Sequence, residues 1–191
     1  MKSSYLFLAD GFEEVEAICV IDIMRRASLP IKTISITDSL QVVGAHNVTL
    51  TADSLFADTD FSDADWLILP GGMPGATNLA KYTHLGELLV KHNKAHQNIA
   101  AICASPAVVL APLGVLDNKN AVCYPGFEKM MTKAKLDYKP IVSDGNILTA
   151  NGPAAAIQFA LAIVAKSIGD DHAREIAEGL LLYEMHHEYY F

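Results

Sequence analysis

The chain has 191 residues, 51% hydrophobic and 19% charged, and its 14 Lys and Arg against 22 Asp and Glu give a formal net charge of −8. That length implies one domain with a well-filled core, and an acidic balance without a basic run excludes nucleic acid as a partner. No apolar run approaches the roughly 18–20 residues that span a bilayer, and residues 5–9 are too short for a signal-peptide core, so a cytoplasmic protein with no membrane partner is expected.

In chain order, residues 5–9 (YLFLA) are continuously apolar, as expected of a strand buried on both faces. The run breaks at Asp10-Gly11, and a helical pattern follows. Val15, Ile18, Cys19, Asp22 and Ile23 recur at three- and four-residue steps, with Glu13 and Glu14 as acidic first-turn residues. Pro30 closes the unit, residues 31–36 read as a second strand, and residues 41–50 read as a hairpin or strand excursion around Gly44. Residues 65–69 (DWLIL) are a third core strand, ended by Pro70-Gly71-Gly72.

Residues 85–96 read as a helix, in a polar stretch where His84, His92 and His96 are expected to be solvated. Residues 99–102 form a fourth strand that stops at Cys103, and residues 106–113 a helix with Pro106 at an early position. Residues 121–123, and residues 141–142 with 147–149 across Asp144-Gly145, are further strands. Residues 153–167 form an apolar helix and residues 171–182 an amphipathic one. The aromatic end, Tyr183 and Tyr189-Tyr190-Phe191 with His186-His187-Glu188, is expected to pack on the protein or a partner subunit rather than to hold a metal. Strands alternating with helices give a single doubly wound α/β domain, a mainly parallel sheet with helices on both faces.

The three cysteines, Cys19, Cys103 and Cys123, are an odd number without CxxC spacing. They form neither a disulfide framework nor a zinc site, and in a reducing cytosol all three are free thiols. Cys19 fits the buried face of its helix, and Cys123 packs near a strand end. Ligands in open α/β sheets bind at the carboxyl ends of strands, which is where Cys103 falls. Its neighbours in Ala100-Ala101-Ile102-Cys103-Ala104-Ser105-Pro106 are small, as a crowded strand–turn–helix elbow requires. A helix N-terminus there would lower the thiol pKa from ~8.5. At this point a buried small hydrophobe and a reactive thiol are both open readings.

Four ordered pieces carry a resemblance: residues 9–16 (ADGFEEVE), 69–72 (LPGG), 100–104 (AAICA), and Gly152-Pro153 with Phe159-Ala160-Leu161. Together they resemble the ThiJ/PfpI superfamily, in the branch of the parkinsonism-associated protein deglycase and its bacterial relatives. The resemblance implies a flavodoxin-like fold over residues 1–191 as one ThiJ/PfpI-like (class I glutamine amidotransferase-like) domain, a homodimer, and a reactive Cys103 on a nucleophile elbow. It also implies that Glu16 lies beside the sulfur, where a carboxyl close to a thiolate should have a raised pKa and donate a hydrogen bond.

Backbone N–H groups at Gly72 and Ala104 would then face the oxygen of an adduct, with Gly71 permitting close approach. Two departures matter. Protease-like members carry His where this chain has Ala104, and the deglycase branch often carries His where it has Tyr124. Tyr124 and Asn151 are expected at most to bind substrate. The function implied is a cysteine-dependent, cofactor-independent glyoxalase or deglycase acting on a small aldehyde, with Cys103 and Glu16 catalytic. The alternative is a redox-responsive stress protein or chaperone that senses oxidants through Cys103; an intracellular peptidase or amidase ranks third.

Overall fold

The protein is described by a computed structural model over residues 2–182, so the aromatic and histidine-containing end from Tyr183 lies outside the described residues. The apolar runs become a seven-stranded sheet. In chain order its elements are β1 (Ser3–Leu8), α1 (Glu14–Arg26), β2 (Ile31–Ser35), the hairpin β3 (Gln41–Val43) and β4 (Thr49–Thr51), and β5 (Ser54–Leu55). Next come β6 (Ala64–Leu69), α2 (Gly75–Lys81), α3 (Thr83–Lys94), β7 (Asn98–Ile102), β8 (Asn120–Ala121) and β9 (Lys135–Leu136). The chain continues through β10 (Ile141–Asp144), β11 (Ile147–Ala150), α4 (Ala156–Ile168) and α5 (Asp170–Gly179).

The sheet order is β10-β11-β7-β6-β1-β2-β5, and every pair is parallel except the β10–β11 edge hairpin. The chain runs outward from β1 to β2, then returns to place β6 on the other side of β1. That reversal is a topological switch point, where two loops diverge above the carboxyl edge and leave a crevice. Here the loops are residues 9–13 after β1 and residues 70–74 after β6.

Alternate side chains divide into two cores, as a sheet buried on both faces requires. Leu6, Leu8, Trp66, Ile68 and Ile102 pack against α1 and α4 through Val20, Ile23, Met24, Phe159 and Ile163. Phe7, Leu67, Leu69 and Ile99 pack on the opposite face against Leu79, Leu85 and Leu89 of α2 and α3. No helix of the described residues is long and apolar enough to cross a membrane.

Several local expectations differ from the structure. The buried face of α1 is Glu16, Ala17, Val20, Ile23 and Met24, while Val15 and Ile18 are exposed. A hydropathy pattern places every glutamate outside; turning Glu16 inward rotates the whole stripe. The helix expected over residues 106–113 is one wide turn of π-helical geometry, Pro106–Leu110, followed by irregular turns. The strand expected at residues 121–123 is two residues long and pairs with β9 in a small ribbon outside the main sheet. His92 is buried rather than solvated, packed where α3 lies over the start of β7, and burial lowers its pKa.

Candidate active site

Cys103 directly follows β7 with φ of +64°, in the left-handed region that costs a non-glycine residue about 1 kcal/mol or more. Its backbone is held from two sides. The Cys103 N–H donates to the Ala150 carbonyl of β11 at 2.9 Å, and its own carbonyl accepts from the Tyr124 N–H at 2.7 Å. Ala101, Ala104 and Ser105 around it are buried, so larger side chains would have no room. The result is a sharp elbow that presents the thiol at the carboxyl edge of the sheet.

Glu16 arrives from the first turn of α1. Glu13 is the N-cap of that helix, and its Oε2 accepts the Glu16 N–H at 2.8 Å. Glu16 itself has no solvent exposure. Its Oε2 accepts the Gly71 N–H at 2.7 Å, while Oε1 is buried with no hydrogen-bond partner among the described residues. That oxygen is free to hold a proton or to meet a polar atom of a ligand.

Gly71 shows how close the three groups are. A Cβ built there would fall 2.6 Å from Cys103 Cβ, 2.8 Å from Glu16 Oε2 and 3.0 Å from Cys103 Sγ. The absence of a side chain, rather than a special dihedral angle, lets the loop lie between acid and thiol. Gly72 does require a left-handed backbone, with φ of +88°, and a Cβ there would strike the Glu13 nitrogen and the Gly11 carbonyl.

Burial raises Glu16 from 4.5 to about 7, working against the stabilising bonds from Gly71 and the Cys103 thiol; Glu13 adds repulsion. Burial, and after it the Glu16 charge, push the Cys103 thiol up to about 12, against the opposing N–H groups of Gly72 and Ala104. The thiol lowering expected from a helix N-terminus is therefore overturned: five residues of π-helical turn do not outweigh desolvation and a facing carboxylate. The two shifts belong to one coupled pair. When Glu16 carries the proton, its charge no longer opposes the thiolate, and the two N–H groups remain to stabilise it.

Of the other thiols, Cys19 is half-buried and Cys123 buried. Burial raises both, Cys123 to about 11, and no backbone N–H group acts on either sulfur. Tyr124 is tied to the site by its backbone, but its ring is 45% exposed and lies over Gly152 and against Phe127. Asn151 is half-buried, with its N–H donated to the Pro140 carbonyl, and among the described residues its side chain makes no hydrogen bond to the thiol.

Glu13 and Glu14 are more than the first-turn charges the sequence suggested, for both are buried. Glu14 accepts the His46 N–H at 2.6 Å and lies 2.7 Å from its Nδ1, clamping the β3–β4 hairpin beside the site. Burial works to raise Glu14, but its bonds to His46 and backbone groups more than offset this and lower its pKa; the same contact raises His46. Glu13, Glu14 and His46 are the one group of three whose donor atoms lie near enough to share a metal among the described residues, all within 4.8 Å. Those of Glu14 and His46 are engaged with each other. Sequence reasoning also missed the fully buried Ser105, whose hydroxyl meets the loop after β6. Its signal was there in Cys-Ala-Ser-Pro, read only as small residues.

Residues 2–166 match the sequence profile of the DJ-1/PfpI family. Protein DJ-1 homolog B of Arabidopsis thaliana is 35% identical over 92% of this chain, and the chain spans 40% of that protein's length. The glutathione-independent glyoxalase DJR-1.2 of Caenorhabditis elegans is 31% identical, over 95% of this chain and 97% of that protein. Oxidized Toxoplasma gondii DJ-1 superposes with a TM-score of 0.90 at 33% identity, covering 97% of this chain and 100% of that one.

A folded-state value of about 7 against an ordinary 4.5 means that the fold keeps the Glu16 carboxyl protonated up to about pH 7. Its contribution to stability is complete below about pH 4.5 and is lost as pH rises through about 7. The unfolding free energy of wild type minus that of Glu16→Gln should fall by on the order of 3 kcal/mol between about pH 4 and about pH 8. Urea denaturation across that range checks this, and a flat difference would show an ordinary carboxyl.

Proposed function

The chain belongs to the DJ-1/PfpI family, and from that premise we propose that it is a cysteine-dependent, cofactor-independent enzyme acting on small 2-oxoaldehydes or their early adducts with amines or thiols. The observation that carries the reading is the convergence of Cys103 Sγ and Glu16 Oε2 on one point, within 3.0 Å of where a Gly71 Cβ would sit. A carboxyl titrating near neutrality beside a nucleophile is suited both to give and to take a proton. The glyoxalase name of the C. elegans relative, 31% identical over nearly its whole length, supports the substrate class.

For methylglyoxal the steps balance as follows. The Cys103 thiolate attacks the aldehyde carbon, and Glu16 gives its proton to the carbonyl oxygen, forming a hemithioacetal. The Glu16 carboxylate then removes the proton from that carbon, leaving an enediolate whose hydroxyl proton passes to the neighbouring oxygen. Returning the proton to the neighbouring carbon yields a lactyl thioester on Cys103, and water cleaves it to lactate and free thiol. One carbon is oxidised and its neighbour reduced, so no external electron acceptor is needed. The Gly72 and Ala104 N–H groups act on the sulfur and would steady negative charge in the adduct. The groups acting on the thiol include no histidine among the described residues, which disfavours a Cys–His peptidase or amidase.

The same N–H groups favour a second reading, in which the protein responds to oxidants through Cys103. A sulfinate on Cys103 would meet two donors and a protonated Glu16, a cradle that neither Cys19 nor Cys123 has. For assembly, a homodimer accounts for the exposed Val15 and Ile18 of α1 and Val43 and Val48 of the hairpin that Glu14 clamps to it.

Purified wild-type protein should form lactate from methylglyoxal without added cofactor, and Cys103→Ser should lower kcat by at least about a hundredfold. Equal turnover in the two proteins would exclude the enzymatic reading. After mild peroxide, mass spectrometry should find added oxygen on Cys103 before Cys19 or Cys123; the reverse order would exclude the redox reading. Sedimentation equilibrium should return twice the chain mass, and a monomer would leave the α1 surface without its proposed partner.

A further inference from the structure

Ser105 lies two residues beyond the thiol and has no solvent exposure. A buried hydroxyl needs a partner, and it does not cap the turn that follows it. Instead its Oγ donates to the Pro70 carbonyl at 2.5 Å. That carbonyl belongs to the same peptide unit as the Gly71 N–H, which donates to Glu16 Oε2 at 2.7 Å. The relay therefore runs from the Ser105 hydroxyl, through one planar amide, to the acid of the pair.

A peptide polarised at its oxygen is a stronger donor at its nitrogen. The Ser105 bond thus strengthens the Gly71 donation and stabilises the Glu16 carboxylate. A more stable carboxylate leaves the remaining proton on sulfur. We propose that Ser105 is a positioning residue that, through the Pro70–Gly71 peptide, sets how one proton divides between Glu16 and Cys103. It would then hold the thiolate population down at rest, which matters for a nucleophile exposed to oxidants and stray electrophiles. The inference rests on the Cys103/Glu16 reading above and deepens it by naming what regulates the pair.

Removing the hydroxyl weakens the Gly71 donor, favours the protonated carboxyl and raises the thiolate fraction. Iodoacetamide labelling of Cys103, followed by mass spectrometry of its peptide across a pH series, reads this without substrate or turnover. Ser105→Ala should label about two- to fivefold faster than wild type near neutral pH. In a Glu16→Gln background, where no carboxylate remains to tune, the same substitution should leave the rate and its pH profile unchanged.

An unchanged or slower rate in Ser105→Ala would overturn the proposal. So would an acceleration that persists in Glu16→Gln, because that would show mere loosening of the elbow. Ser105→Gly removes the same hydroxyl and serves if the alanine variant fails to fold. Labelling as expected without lactate formation would exclude the glyoxalase reading while sustaining the relay.

Discussion

A carboxyl group without solvent contact costs several kcal/mol as an anion unless nearby donors or a proton compensate. Glu16 is such a group, and the carboxyl edge of the sheet is arranged around it. It has one backbone donor, Gly71, the Cys103 thiol beside it, and the repelling charge of Glu13. Each feature of the surrounding loops answers to that need. Position 71 has no Cβ because acid and thiol occupy the space, Glu13 caps the helix that delivers Glu16, and Ser105 grips the peptide that donates to it.

Topology explains why these pieces meet. The reversal between β1 and β6 opens the crevice, and β7 beside β6 ends one register step further on, at the elbow. Three glutamates at the start of α1 are then separated by helical geometry. Glu14 and Glu16 lie about 200° apart around the axis, so one reaches out to the hairpin and the other in to the thiol. The strain at Cys103 persists because β11 and Tyr124 hold its peptide groups from both sides. A surface thiol with the same local sequence would have neither the buried acid nor the Gly72 N–H.

Much of the fold was legible because buried parallel strands are written as short continuous apolar runs. β1, β6 and β7 were found within two residues at each end for that reason. α2 was not legible: Gly75, Thr77 and Asn78 are weak helix formers, and the helix exists because Ala76 and Leu79 are buried. The phase of α1 was misread because Val15 and Ile18 look like core while Glu16 looks like surface. His92 was misread likewise, since a polar helix gave no hint that one histidine faces the strands.

By itself the sequence determined the order of elements, the elbow cysteine, the glycines that follow β6 and the motif that singles out Glu16. These are local properties, carried by neighbouring residue types and their spacing. Only the tertiary structure decided proton ownership, because a pKa depends on burial and on groups remote in the chain. Glu16 and Gly71 are 55 positions apart, yet their hydrogen bond helps set the charge of the acid. The local expectation of a lowered thiol pKa failed for that reason: desolvation and the facing carboxylate are absent from any reading of residues 100–106 alone.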